Sequence, residues 1–140
     1  MCIRDRGGTG TSSADIRSMA ERMAREISGL KWPDNKVKVR IALTTIDNQT
    51  RFPINPNIIK DRLLTDLVEF SQGTKLQFTE NANGADYFLS ARLTALSKGS
   101  SEGVSDYLLY SFKLIDKADT VEWMKAYETK KQGSVGVMYR

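Results

Sequence analysis

The side chains that most often carry chemistry in proteins are almost missing from this 140-residue chain. It contains no histidine, which is the commonest general base and a frequent metal ligand, and its one cysteine is Cys2. A single cysteine can form neither an internal disulfide nor a Cys-x-x-Cys redox pair. No Ser-x-x-Lys or Gly-x-Ser-x-Gly spacing indicates an activated nucleophile. The sequence therefore predicts no catalytic residue, no metal site and no cofactor.

Two pairs of carboxylates could in principle do acid–base work. Asp61 and Glu69 lie two turns apart on a predicted helix, and Asp116 and Asp119 frame a predicted turn. Solvation of a helix surface and turn formation are much commoner roles for such residues. We therefore interpret both pairs as structural and predict that the protein is not an enzyme.

Aromatic and basic residues are interleaved in the last third of the chain. This pattern is typical of single-stranded nucleic-acid binding, through base stacking, and equally of protein-binding faces. The net charge of +4 is spread over mixed acidic and basic surfaces, which argues against a phosphate track. We expect Tyr110 and Trp123 to lie in the core. The aromatic residues are Tyr87, Tyr107, Tyr110, Trp123, Tyr127 and Tyr139, and the basic ones are Arg92, Lys113, Lys125, Lys130, Lys131 and Arg140.

Hydrophobic periodicity predicts the elements that must position these residues. A helix capped by Ser12 or Ser13 ends at Gly29, and a second helix starts at Asn55 and is closed by Gly73. A strand over residues 36–46 lies between the helices, and "KLQFT" follows the second one. Three long strands then complete the chain, with a loop over 98–105 between the first two. This order, α-β-α-β-β-β-β, predicts an α+β fold with two helices on one face of a mixed four- to five-stranded sheet.

The beginning of the chain differs in character from the rest. "MCIRDR" looks like translated adapter sequence, and "GGTGTSS" is typical of a flexible linker. We therefore assign residues 1–12 to an artefactual leader and linker, and residues 13–140 to a single α+β domain. A lipid-bearing role for Cys2 would need an apolar run before it, and none is present.

Several stretches, taken together, resemble the LpoB family of outer-membrane lipoproteins, which activate bifunctional class A penicillin-binding proteins. They are "ADYFLSARLTALS", "SDYLLYSFKLID", "VEW" and "YETKKQGSVGVMYR". The helix "SSADIRSMAERMAREI" and the segment "INPNIIKDRLLTDL" resemble the same family in order and spacing. The motifs are specific only in combination. One departure is the turn in "DKADTVEW", which lacks the glycine that usually closes this hairpin in the family.

The resemblance implies a fold like the N-terminal domain of TolB and a periplasmic, non-enzymatic protein. It implies a lipidated cysteine and a flexible tether to the outer membrane, although no signal peptide or lipobox is present in this sequence. The implied partner is a class A penicillin-binding protein, stimulated allosterically, and we expect a monomer without a nucleic-acid partner. A single-stranded nucleic-acid-binding domain or a general protein-interaction module is the alternative that the residues leave open.

The family resemblance supplies no interface residues, so the candidate surface comes from the residues themselves. We predict a partner-binding patch on the open sheet face and the last hairpin, formed by Arg92, Tyr107, Lys113, Lys125 and Tyr127. We also expect Tyr139 to pack back onto the domain, so that deletion of residues 133–140 lowers the melting temperature.

Overall fold

The computed structural model describes residues 11–33, 37–100 and 103–130, and within them the predicted order of elements is confirmed. Two helices pack on one face of a five-stranded mixed sheet. In the described part of the chain, no helix combines the length and the apolar character needed to cross a membrane. The elements are α1 (Ser13–Ser28), β1 (Val39–Asn48), α2 (Pro56–Phe70), β2 (Leu76–Thr79), β3 (Tyr87–Ser100), β4 (Gly103–Asp116) and β5 (Val121–Lys130).

Helix α1 forms where the sequence predicts it. Ser12 is the N-cap: its hydroxyl accepts a hydrogen bond of 3.1 Å from the backbone N–H of Asp15, satisfying a donor that the helix leaves free. Gly29 is the C-cap. The apolar stripe faces the sheet and is buried, which supplies most of the stability of such a helix. Its members are Ile16, Met19, Ala20, Met23, Ala24 and Ile27.

Helix α2 starts as predicted but ends earlier. Asn55 caps it through a 3.0 Å bond from the N–H of Asn57, and Pro56 occupies the first turn, where no backbone donor is required. The helix ends at Phe70 rather than at Gly73, because Ser71 already closes it by donating its backbone N–H to the carbonyl of Leu67. Gly73 instead adopts a φ of 85° in the turn that leads to β2.

The sheet has the strand order β2-β1-β3-β4-β5. Strand β1 is parallel to both β2 and β3, whereas β3, β4 and β5 form an antiparallel meander. Alternate residues of β4 face the helices and are buried, as the sequence predicts. They are Leu108, Tyr110, Phe112 and Leu114. The core therefore lies between the helices and one face of the sheet, and the other face is left open.

Two details of the strand prediction are wrong. Within the predicted loop over 98–105, residues 98–100 and 103–105 are strand instead, because the pairing of β3 with β4 continues to Ser100 and Gly103. Glycine and serine are common in loops, but here they follow eleven paired residues of β3, from Tyr87 to Ser97, and they continue the same pairing. Val37 lies within the predicted strand over 36–46 but is 84% exposed, because β1 begins pairing with β2 only at Val39.

The turn between β4 and β5 forms without glycine. Asp119 adopts a left-handed conformation with φ of 64°, which aspartate tolerates better than most residues. The carboxylate of Asp116 accepts hydrogen bonds of 2.8 and 2.9 Å from the backbone N–H groups of Ala118 and Thr120. An aspartate in the left-handed region and two side-chain bonds thus hold this turn without a glycine.

Candidate partner-binding surfaces

The open face of the sheet holds two of the predicted residues side by side. Arg92 lies opposite Ser111 across the β3–β4 ladder, and Lys113 lies opposite Ser90, so the two cations are diagonal neighbours. Both line a shallow depression of about 240 Å³ together with Asp47. Neither forms a hydrogen bond or ion pair with any other residue in the described ranges. Their charges are therefore available to another molecule.

Tyr107 shares this face but stands apart from the two cations. It lies opposite Leu96 on β3 and Lys130 on β5 and is half-buried. It lies six positions before Lys113 on β4, a distance of about 20 Å along an extended strand. A partner would have to cover much of the open face to touch both.

Lys125 is on the other face of the sheet, where it binds α1. Its Nζ donates to Glu26 Oε2 at 2.9 Å, and Trp123 Nε1 donates to Glu26 Oε1 at 3.3 Å. The bond from Lys125, helped by the one from Trp123, holds the pKa of Glu26 below its ordinary value. Trp123 is half-buried rather than enclosed in the core. This small cluster connects α1 to the last strand.

Tyr127 is also on the helix-covered face and is only 7% exposed. Its ring packs edge-on against Phe112, with centroids 5.9 Å apart. Burial raises the pKa of Tyr127 to about 12, and its buried hydroxyl has no hydrogen-bond partner among the described residues. The predicted patch is thus divided between two surfaces, with Arg92, Tyr107 and Lys113 on the open face and the remaining two residues beside α1.

The carboxylates that we considered for acid–base chemistry have structural surroundings. Glu69 binds Arg17, with Oε2 and Nη2 2.8 Å apart, and that bond lowers the pKa of Glu69. Asp61 is exposed on α2, and Asp116 serves the turn described above. Within residues 11–33, 37–100 and 103–130, no three histidine, cysteine, aspartate or glutamate side chains are grouped so that they could hold a metal ion.

The class of domain defined by this geometry is an α+β sandwich with a helix layer on one side and an exposed sheet on the other. No protein-family model and no curated protein sequence matches the chain. Several solved structures, however, match the chain. The C-terminal domain of LpoB from Salmonella enterica has a TM-score of 0.55 at 11% identity, covering 84% of this chain and 99% of that one. The same domain from Escherichia coli has a TM-score of 0.54 at 12% identity, covering 82% and 98%.

PelC from Paraburkholderia phytofirmans, solved as a dodecamer, has a TM-score of 0.50 at 19% identity and covers 71% of this chain and 77% of that one. Identities of this size establish a shared fold and no more. The chain therefore has the fold of the LpoB C-terminal domain, and the resemblance predicted from the sequence is confirmed at the level of the fold.

Proposed function

We propose that this protein is a non-enzymatic activator of a class A penicillin-binding protein, and that it belongs functionally with LpoB. The observation that carries the proposal is that the LpoB fold, which spans nearly the whole length of the LpoB domains, occurs here with two unpaired cations on its open face. The described parts of the sequence segments that resemble the family lie within this same fold. The protein would act in the periplasm, held to the outer membrane by a lipid anchor and tether that precede the domain.

The mechanism is a difference in affinity. An activator that contributes no chemical group can raise a rate only by binding the active arrangement of the synthase more tightly than the inactive one. Arg92 and Lys113 suit this task, because charges that are unpaired in the free protein lose no existing partner on binding. Tyr107 would add an amphipathic ring at the far end of the same face, a side chain favoured at protein interfaces.

The proposal is tested by glycan-strand polymerisation from lipid II by a purified class A penicillin-binding protein, with and without this chain. We expect a faster rate with the chain present and no polymerisation by the chain alone. An unchanged rate, together with no detectable binding, for synthases from matched species would refute the proposal.

Single-stranded nucleic-acid binding is less well supported by the geometry. Stacking requires exposed rings, yet among the described aromatic residues Tyr110 and Tyr127 are buried in the core and Trp123 is bonded to α1. Affinity for single strands that falls steeply with salt would revive this function, because counterion release accompanies such binding.

A further inference from the structure

Strand β5 leaves one edge of the sheet open. It is the last strand in the order β2-β1-β3-β4-β5, and among the described residues nothing pairs with its outer side. With ten residues it is longer than most edge strands. An unpaired edge of this length presents a row of backbone N–H and C=O groups that can pair with another extended chain.

A groove of about 340 Å³ runs beside this edge, between α1 and β5. The buried side chains of Met19 and Tyr127 contribute to its lining, and the hydroxyl of Tyr127 has unused hydrogen-bonding capacity within the described structure. Asp15, Ser18 and Arg22 line it from the helix, at spacings of three and four residues that form one stripe along α1. A groove between a helix and an open strand edge is the arrangement in which extended peptides commonly add to a sheet.

The stripe of Asp15, Ser18 and Arg22 differs from the rest of α1 in the bonding of its charged side chains. Among the described residues, every other charged side chain of the helix has a partner: Arg17 with Asp66 and Glu69, Glu21 with Arg25, and Glu26 with Lys125. Asp15 and Arg22 form no side-chain bond in that part of the chain, and both line the groove. They are seven residues apart, about 10 Å along the helix axis. An extended chain advances about 7 Å for every two residues, so long side chains two or four positions apart can reach both.

Arg22 acts on Glu26 only through space, by helping to lower its pKa. From the open edge and these two charges, which have no hydrogen-bonded partner among the described residues, we infer that an extended segment of the partner protein adds to β5 as a sixth strand. On its helix side the segment carries an acidic side chain opposite Arg22 and a basic one opposite Asp15. The inference rests on the proposed function, because it describes how the proposed partner binds. It also gives a role to Lys125 and Tyr127, which line the same groove although they lie away from the open face.

Charge complementarity favours a different protein over segments of this chain. If β5 of a second copy were added antiparallel, its helix-side residues would be Trp123, Lys125, Tyr127 and Thr129, and none of them is acidic. The ten residues after Lys130 contain no aspartate or glutamate either. Neither segment, placed in this way, offers an acidic side chain to Arg22.

The first test is charge reversal, measured as affinity for a purified class A penicillin-binding protein. We expect Arg22→Glu to weaken binding about tenfold, because an attraction at the interface becomes a repulsion. Arg25→Glu is the matched control, since it makes the same change on the same helix outside the groove, and it should stay within about twofold. If Arg22→Glu does not fold, which circular dichroism will show, Arg22→Gln provides the same comparison with a smaller expected loss.

The second test is hydrogen exchange at single amides of the full chain, free and bound to the same synthase. In an edge strand, alternate N–H groups point away from the sheet. Strand addition should therefore slow exchange at every second residue between Lys125 and Thr129. Binding of the synthase without this alternation, and with Arg22→Glu at wild-type affinity, would overturn strand addition and leave the proposed function intact. Self-association lost in Arg22→Glu would also overturn it, in favour of a second copy. Absence of any binding to the synthase would overturn both proposals.

Discussion

A buried hydrogen bond between Thr11 and Tyr110 joins the start of the described chain to the central hairpin. The two hydroxyl oxygens are 2.5 Å apart, although 99 residues separate them in sequence. Thr11 is 4% exposed and Tyr110 is fully buried. The hydroxyl of Thr129 lies 3.4 Å from that of Thr11, so three distant segments meet at this point. A chain cut at residue 13, the predicted domain boundary, would lack this bond.

Replacing Tyr110 with phenylalanine removes only the hydroxyl and keeps the ring, which stacks near Phe112 at 6.3 Å between centroids. We expect a loss of about 1–2 kcal/mol in the free energy of unfolding. A typical hydrogen bond contributes roughly 1 kcal/mol, and leaving a buried partner without its bond adds to the cost. Thr11→Val should cost a similar amount, because it leaves the hydroxyl of Tyr110 buried without this partner. The double variant loses one shared bond, so its cost should fall short of the sum by about 1 kcal/mol.

Urea denaturation of the four proteins measures these energies, and the melting temperature should fall by about 4 °C for each kcal/mol lost. Thr45→Val is the control, since it removes an exposed hydroxyl and should change stability by less than about 0.5 kcal/mol. Strictly additive effects of the two substitutions, or a Tyr110→Phe protein as stable as the wild type, would show that Thr11 and Tyr110 are not bonded. Thr11 would then not pack against the central hairpin.

Three other perturbations have definite expected outcomes. Phe112→Ala should lower the free energy of unfolding by about 3–5 kcal/mol in the same urea experiment, because it opens a cavity in the core. Burial raises the pKa of Tyr110 and of Tyr127 to about 12. Stability from these groups is therefore complete below pH 10 and is lost as the pH rises through 12, which alkaline melting curves will show. Lys125 lowers the pKa of Glu26 below the ordinary value for glutamate. The stability that the Glu26 carboxylate contributes is therefore present above that ordinary value and is lost on acidification. Glu26→Gln should cost no more than about 1 kcal/mol at pH 7 and reduce the fall in melting temperature between pH 5 and 3.

Much of the fold follows from local patterns in the sequence. The alternation in β4 identifies its buried row, and the serine and the Asn-Pro pair locate the starts of both helices, because these signals depend on residues within one or two turns. The β3–β4 hairpin was harder to predict. Whether residues 98–100 and 103–105 are loop or strand depends on pairing that begins at Tyr87 and Asp116, far from the glycines concerned.

Prediction of the candidate surfaces was also limited by contacts between residues that are far apart in the sequence. Arg92 and Lys113 could be assigned to the open face because each alternates with buried neighbours in its own strand. Lys125 looked equally exposed in the sequence, but its orientation is set by pairing with Phe112, and its partner Glu26 is 99 residues away. At the edge of a sheet the helix layer covers a strand only in part, so a lysine can occupy the covered face. The groove itself exists only once α1 has packed beside β5.

The proposed activation of a class A penicillin-binding protein is tested most directly by comparing two charge-reversed proteins in the polymerisation assay. Arg92→Glu combined with Lys113→Glu reverses both unpaired cations of the open face, and we expect stimulation to require at least tenfold more protein than the wild type. Arg25→Glu combined with Lys60→Glu makes the same change in net charge on the helices and should stimulate normally. Equal stimulation by the two variants, or none by the wild-type chain, would contradict the account.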